Sequence, residues 1–256
     1  MTLEDDLARL FRLDGRVALV TGASSGLGHR FARVLAASGA QVVAAARRAD
    51  RLQALADASG AVPMRCDVTD DADVERLVAT TIDRLGRIDV LVNNAGISAT
   101  VPAEDEPLET FRSVMDVNVT ALFHVTQAVG RHMLAAGSGN VINVASTAGL
   151  VATAPLKQAS YTASKGAVVN LTRELAVQWA RRGVRVNAIA PGFFPTEMTE
   201  SMLDDERSMT WVRSNAPIPR FGAEHELDGA LLFLASDAST YCTGQTIVVD
   251  GGWTAR

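Results

Sequence analysis

With 256 residues, 48% of them hydrophobic and 21% charged, the chain has material for one substantial buried core. A formal net charge of −5 runs against a nucleic-acid partner, and no apolar run approaches the roughly 18 residues that a membrane span needs. The opening residues set Glu4, Asp5 and Asp6 among scattered leucines, without the basic start and apolar stretch of a secretory signal, which points to the cytoplasm.

Residues 1–14 read as an N-terminal extension, and the first strand follows at 17–21. Its apolar run Val17-Ala18-Leu19-Val20 leads into Thr21-Gly22-Ala23-Ser24-Ser25-Gly26-Leu27-Gly28 and then into a helical pattern over 26–38, with Phe31, Val34 and Leu35 on one face. Glycines let a backbone turn tightly and approach a pyrophosphate, while the free N–H groups at a helix start attract negative charge. A glycine cluster also marks ordinary turns, but this one lies between a buried strand and an amphipathic helix, as dinucleotide binding requires.

Further strands are expected at 41–45, 62–65, 88–93, 140–144, 185–190 and 245–249. Helices are expected at 49–58, 71–85, 107–136, 161–181 and 224–235. Continuous rather than alternating apolar strands imply burial on both faces. The fold class is therefore α/β, a doubly wound, Rossmann-like, seven-stranded parallel sheet between helices, in a single domain. No linker or repeat divides the chain. Cys66 and Cys242 are far apart and not spaced as metal ligands, so no metal is expected and both read as reduced thiols.

Ligands of such sheets bind at the carboxyl ends of the strands, where unusual polar residues gather here. Asn93-Asn94-Ala95-Gly96 follows the fourth strand, Ser146 the fifth, and Pro191-Gly192-Phe193-Phe194-Pro195-Thr196 the sixth. Each alone has a turn or cap explanation. Asn118 is harder to dismiss, because an amide inside the apolar stretch from Val114 to Val119 needs a partner. Tyr161 and Lys165 are one of two tyrosines and one of two lysines in the chain. Spaced i, i+4, they share a helix face, so the ammonium is expected to sit beneath the phenol and lower its pKa. For the pair alone, an exposed Tyr and Lys on a helix surface is the favoured explanation, and the rest of the chain reverses that.

Together these residues resemble the short-chain dehydrogenase/reductase family. Thr21 to Gly28 is similar to its Thr-Gly-x-x-x-Gly-x-Gly, Asn93 to Gly96 to its Asn-Asn-Ala-Gly, and Tyr161 and Lys165 to its Tyr-x-x-x-Lys. Asn118, Ser146 and Pro191-Gly192 match in order and context, and the match runs from Arg16 to Gly252. One departure stands out. Fourteen residues separate Ser146 from Tyr161, about two more than the family commonly has, and the extra length is expected in a loop over Thr153 to Ser160.

The resemblance implies an oxidoreductase with four catalytic residues. Tyr161 exchanges a proton with the carbonyl oxygen, Ser146 donates a hydrogen bond to it, Lys165 bonds the nicotinamide ribose, and Asn118 holds a water leading to solvent. It also implies that Gly22, Ser24, Ser25, Gly26, Leu27 and Gly28 hold the cofactor phosphates. Asp67 and Val68 lie by the adenine. Asn93, Ala95, Gly96, Tyr161 and Lys165 lie along the middle, and Pro191, Gly192, Phe194 and Thr196 at the nicotinamide. The second strand ends in Ala44-Ala45-Ala46-Arg47-Arg48, without the carboxylate of an NAD site and with Arg47 placed for a 2′-phosphate. NADP is expected, with NAD as the alternative.

Residues 195–220 read as a lid. Its Met198, Met202, Leu203, Met209 and Trp211 suit either an apolar substrate or packing on the protein. A 3-oxoacyl or similar ketone is the first expected substrate and a sugar or polyol the second. A dinucleotide-binding sensor without turnover is the alternative of another class. A homotetramer, or a homodimer, is implied by the resemblance.

Overall fold

The computed structural model describes residues 2–255. Seven strands, β1 (Val17–Thr21), β2 (Gln41–Ala46), β3 (Val62–Arg65), β4 (Val90–Asn93), β5 (Gly139–Val144), β6 (Val184–Pro191) and β7 (Thr246–Val249), form one sheet. Every pairing is parallel, in the order β3-β2-β1-β4-β5-β6-β7. The strand limits fall within two residues of the sequence expectation. β1, β4 and nearly all of β2, β5 and β6 are buried along their length, which is why their sequences carry no alternation.

The described residues also form ten α-helices: α1 (Leu3–Leu10), α2 (Gly26–Ala37), α3 (Ala49–Ser59), α4 (Asp71–Leu85), α5 (Leu108–Met115), α6 (Leu122–Ala136), α7 (Ala159–Trp179), α8 (Glu200–Leu203), α9 (Glu206–Asn215) and α10 (Asp228–Ala235). One face of the sheet packs against Phe31 and Leu35 of α2, Leu52 and Leu55 of α3, and Leu231 and Leu234 of α10. The other packs against Leu77 of α4, Val125 and Met133 of α6, and Leu175 of α7. The chain winds from β1 outward to β3 and then returns to the far side of β1 at β4. The chain leaving β1 therefore goes to one face of the sheet (α2) and the chain leaving β4 to the other (α6), which makes the carboxyl ends of this strand pair the switch point where a doubly wound sheet holds its ligand.

Two expectations need correction, and two segments gain detail. The helix expected over 107–136 is interrupted by a π-helical turn, Asp116–Ala121. The wider turn points the fully buried Asn118 inward to reach polar partners on neighbouring segments. Helix α7 begins at Ala159, so the last two residues of the loop expected over 153–160 are helical. The N-terminal extension holds α1, capped by Thr2 and Asp5, whose side chains each accept from the other's backbone N–H. The segment 195–220, read as a lid, carries α8 and α9. Trp211 packs edge-on against Phe193 at 5.7 Å and tilted against Trp253 at 5.0 Å, so it packs on the protein, one of the two roles that its sequence allowed.

Candidate active site

A cleft of about 980 Å³ opens at the carboxyl ends of the strands. Its floor is the turn from β1 to α2, where Gly22 (φ +66°) and Gly26 (φ +52°) have left-handed backbones that glycine adopts without strain. Gly22, Ser24, Ser25, Gly26 and Leu27 line the cleft. The Ser25 side chain leaves the first amides of α2 uncapped, and an anion can use them. Gly28 lies behind the turn instead. A Cβ there would sit 2.3 Å from Asn94 Nδ2 and 2.5 Å from the Gly22 carbonyl oxygen, so its lack of a side chain serves close packing.

The segment after β4 locks onto this turn. Asn94 Nδ2 donates to the carbonyls of Thr21 (3.1 Å) and Gly22 (3.2 Å), and Thr21 Oγ1 accepts from the backbone N–H groups of Asn94 (3.1 Å) and Ala95 (3.2 Å). Asn94, Ala95 and Gly96 line the cleft. Asn93, expected among the cofactor contacts, points the other way. Its Nδ2 donates to Thr126 Oγ1 (2.7 Å) and Asn143 Oδ1 (2.9 Å), in a buried network that continues to Thr172. Successive strand side chains point to opposite faces, so one position decides between cleft and core.

Ser146, at the end of β5, caps the 3-10 turn Thr147–Gly149, its Oγ accepting from the Ala148 N–H at 3.1 Å. Tyr161 and Lys165 face it from α7. The Lys165 Nζ lies 5.7 Å from the Tyr161 ring centre and donates to the Val144 carbonyl at 2.7 Å. Ser146, Tyr161 and Lys165 all line the cleft. Asn118 does not. Its amide donates to the Ile97 carbonyl and to Ser164 Oγ, both at 2.9 Å, and accepts from the Ile97 N–H at 2.8 Å. With those bonds made, the side chain fixes the loop after Gly96 and the helix of Tyr161, and the expected water has no claim on its nitrogen.

On the opposite wall, Pro191, Gly192, Phe194 and Thr196 line the cleft. Thr199 Oγ1 accepts from the Thr196 N–H at 2.9 Å and donates to the Phe194 carbonyl at 2.6 Å, which holds Thr196 over Gly26. Toward the outer end lie Arg47, Arg48, Asp67 and Val68.

The family model described as Enoyl-(Acyl carrier protein) reductase matches residues 22–254. The gluconate 5-dehydrogenase of Gluconobacter oxydans (strain 621H) is 43% identical over 96% of this chain and 97% of its own. The chain belongs to the short-chain dehydrogenase/reductase family. The 3-oxoacyl-[acyl-carrier-protein] reductase of Synechocystis sp. is 42% identical over 94% of this chain and 97% of its own. Among solved structures, a gluconate 5-dehydrogenase from Burkholderia cenocepacia J2315 in complex with NADP and tartrate superposes with a TM-score of 0.93 at 40% identity, covering 98% of this chain and 99% of that one. The relatives are oxidoreductases, and so is this dehydrogenase/reductase.

Electrostatics in this short-chain dehydrogenase/reductase differ from the sequence expectation. Burial raises the Tyr161 phenol above its ordinary value, only partly opposed by hydrogen bonding with Ser146. Burial acts on Lys165 too and brings its ammonium down to about 8. The unfolded chain therefore keeps a proton on this lysine between about pH 8 and its ordinary value, where the folded cofactor-free protein has lost it. Folding stability contributed by this site rises with pH across that window. Below the window the buried charge costs about 1.4 kcal/mol of stability for each pH unit that the window spans, partly offset by the bond to Val144. Lys165→Met is thus expected to stabilise the cofactor-free protein by about 1–2 kcal/mol at pH 7 and by less above pH 10, read by thermal unfolding at both pH values.

Several cleft residues escaped the sequence reading. Glu109, Arg112, Ser113 and Asp116 line one wall at helical spacing, a signal indistinguishable from a solvated face. Glu197 and Thr199 also line the cleft, as do Arg48, next to Arg47, and Met198, already placed in the lid. No helix among the described residues is long and apolar enough to cross a membrane.

Proposed function

We propose that this protein is an NADP(H)-dependent oxidoreductase interconverting a ketone and a secondary alcohol, with Tyr161 as proton donor and acceptor. The observation carrying the cofactor choice is the end of β2. The strand's own last residues, Ala45 and Ala46, and Arg47 after them, include no Asp or Glu. Instead Arg48 donates from Nε to Ser24 Oγ at 3.1 Å and from Nη2 to Ser25 Oγ at 2.6 Å, beside the glycine turn. Arg47 is exposed on the same wall; burial works against the charged form of Asp67 there, and the hydrogen bonds from Thr69, with a smaller contribution from Arg47, outweigh it. Such guanidinium and hydroxyl donors fit a phosphate on the ribose.

The nicotinamide supplies or accepts the hydride. The chain's own residues manage the proton. Burial keeps Tyr161 protonated at neutral pH, as a donor to a carbonyl oxygen must be, and Ser146 beside it offers a second hydrogen bond to the developing charge. Lys165 suits the ribose hydroxyls, Thr196 and the backbone near Phe194 the carboxamide. A sensor without turnover would have no use for this proton machinery. For the substrate, a small polyhydroxylated alcohol or its ketone is supported by gluconate, galactitol and threitol dehydrogenases among the relatives, and a 3-oxoacyl thioester by the two reductases of that name.

Equilibrium titration with NADPH and NADH tests the cofactor assignment. Arg48→Ala is expected to weaken NADPH by at least about tenfold, Arg47→Ala by less, and neither to change NADH by more than about twofold. Tighter NADH binding to the unaltered protein would overturn it.

The same reading includes self-association and a reducing compartment. Phe123 on α6 and Val177 on α7 are apolar and exposed, Val177 by 80%, and edge strand β7 is only half covered. Cys66 and Cys242 are both unpaired, as in the cytoplasm. Light scattering is expected to give the mass of a tetramer, and Val177→Glu a smaller species.

A further inference from the structure

The arginines at the end of β2 already hold an anion from the chain itself. Arg48 forks onto Glu197, Nη1 to Oε1 and Nη2 to Oε2, each at 3.0 Å. Arg51 donates to Oε1, and Ser25 Oγ donates to Oε2 at 2.9 Å. Guanidinium groups and a hydroxyl thus converge on one carboxylate, the donor set that a phosphate monoester recruits. Glu197 comes from the far wall of the cleft, next to Thr196, and both it and Arg48 line the cavity. Its ion pairs are half open to solvent, so they can exchange for another anion.

We propose that Glu197 is an internal competitor for the cofactor's 2′-phosphate, occupying the Arg48 site until the phosphate displaces it and thereby setting how strongly the protein prefers the phosphorylated dinucleotide. This rests on the NADP(H) reading above. A 2′-phosphate on Arg48 would bring about two negative charges against the Glu197 carboxylate, and both cannot keep the same donors. Hydrogen bonds from Arg48 and Arg51 hold that carboxyl at about 2, so protonation offers it no exit at any ordinary pH. It must swing away. A dinucleotide without the phosphate leaves the pair intact and meets no competition.

The test is calorimetric titration of the unaltered protein, Glu197→Gln and Glu197→Ala with adenosine 2′,5′-bisphosphate and with 5′-AMP, which differ only in the 2′-phosphate and need no turnover. Both variants are expected to bind the bisphosphate about fivefold tighter, the upper range for a solvent-open ion pair, with 5′-AMP unchanged. The gain should shrink as salt rises. If the unaltered protein binds the bisphosphate no tighter than 5′-AMP, the NADP(H) reading itself fails. If it prefers the bisphosphate and the variants keep that preference unchanged, or lose affinity for both ligands alike, the NADP(H) reading stands and the competitor role falls.

Discussion

Tyr161→Phe is expected to lower kcat by about three orders of magnitude in either direction, the scale of a lost general acid or base. NADPH affinity should move by no more than about twofold, since the change removes one oxygen at the reacting end of the site. The substitution is nearly isosteric, and the ring keeps its place over Lys165. What disappears is the α7 hydroxyl that lines the cleft beside Ser146. Because burial raises the phenol and does not lower it, the residual pH profile is informative. Reduction by the unaltered protein should hold level through neutral pH and decline only in the alkaline range, while oxidation climbs with pH. Turnover of Tyr161→Phe within tenfold of the unaltered protein, measured by NADPH consumption, would remove Tyr161 from the chemistry.

The strand, glycine turn and helix at 17–38 were legible because each part has a local cause: a run of buried apolar residues, left-handed glycines and a helical stripe. Tyr161 and Lys165 were legible as a pair because i, i+4 spacing fixes their face once α7 forms. Their protonation was not, since it depends on how deeply the tertiary structure buries them. The π-helical turn at Asp116–Ala121 leaves little trace in periodicity. Only the polar Asn118 in an apolar stretch hinted at it, and its partners Ile97 and Ser164 come from other elements. Asn93 and Asn94 were separable only by a one-residue register, which decides between the buried network and the cleft. Glu197 meets Arg48 from 149 positions away, a contact that no local pattern encodes.

Gly149→Ala tests whether catalytic geometry here is set by backbone contact. Gly149 closes the 3-10 turn that Ser146 caps, and a Cβ on it would lie 2.5 Å from the Lys165 carbonyl oxygen, 2.6 Å from its carbon and 2.9 Å from the Gly166 nitrogen. These are backbone atoms inside α7, where no side chain can rotate out of the way. Either the Ser146 turn lifts from the helix or the helix moves, and both separate Ser146 from Tyr161 and Lys165. Overpacking of this kind costs about 1–3 kcal/mol of stability. A displacement near 1 Å at the reacting groups costs about a hundredfold in kcat. Cofactor affinity should fall far less, because the glycine turn and Arg48 lie on other elements. Gly229→Ala supplies the contrast. It sits on α10 with nothing within 4 Å of its added methyl, so it is expected to stabilise by about 0.5–1 kcal/mol through helix propensity and leave kcat alone. A Gly149→Ala protein that matched the unaltered one in both melting temperature and kcat would mean that α7 and the Ser146 turn yield to each other, and that the spacing of Ser146, Tyr161 and Lys165 tolerates it.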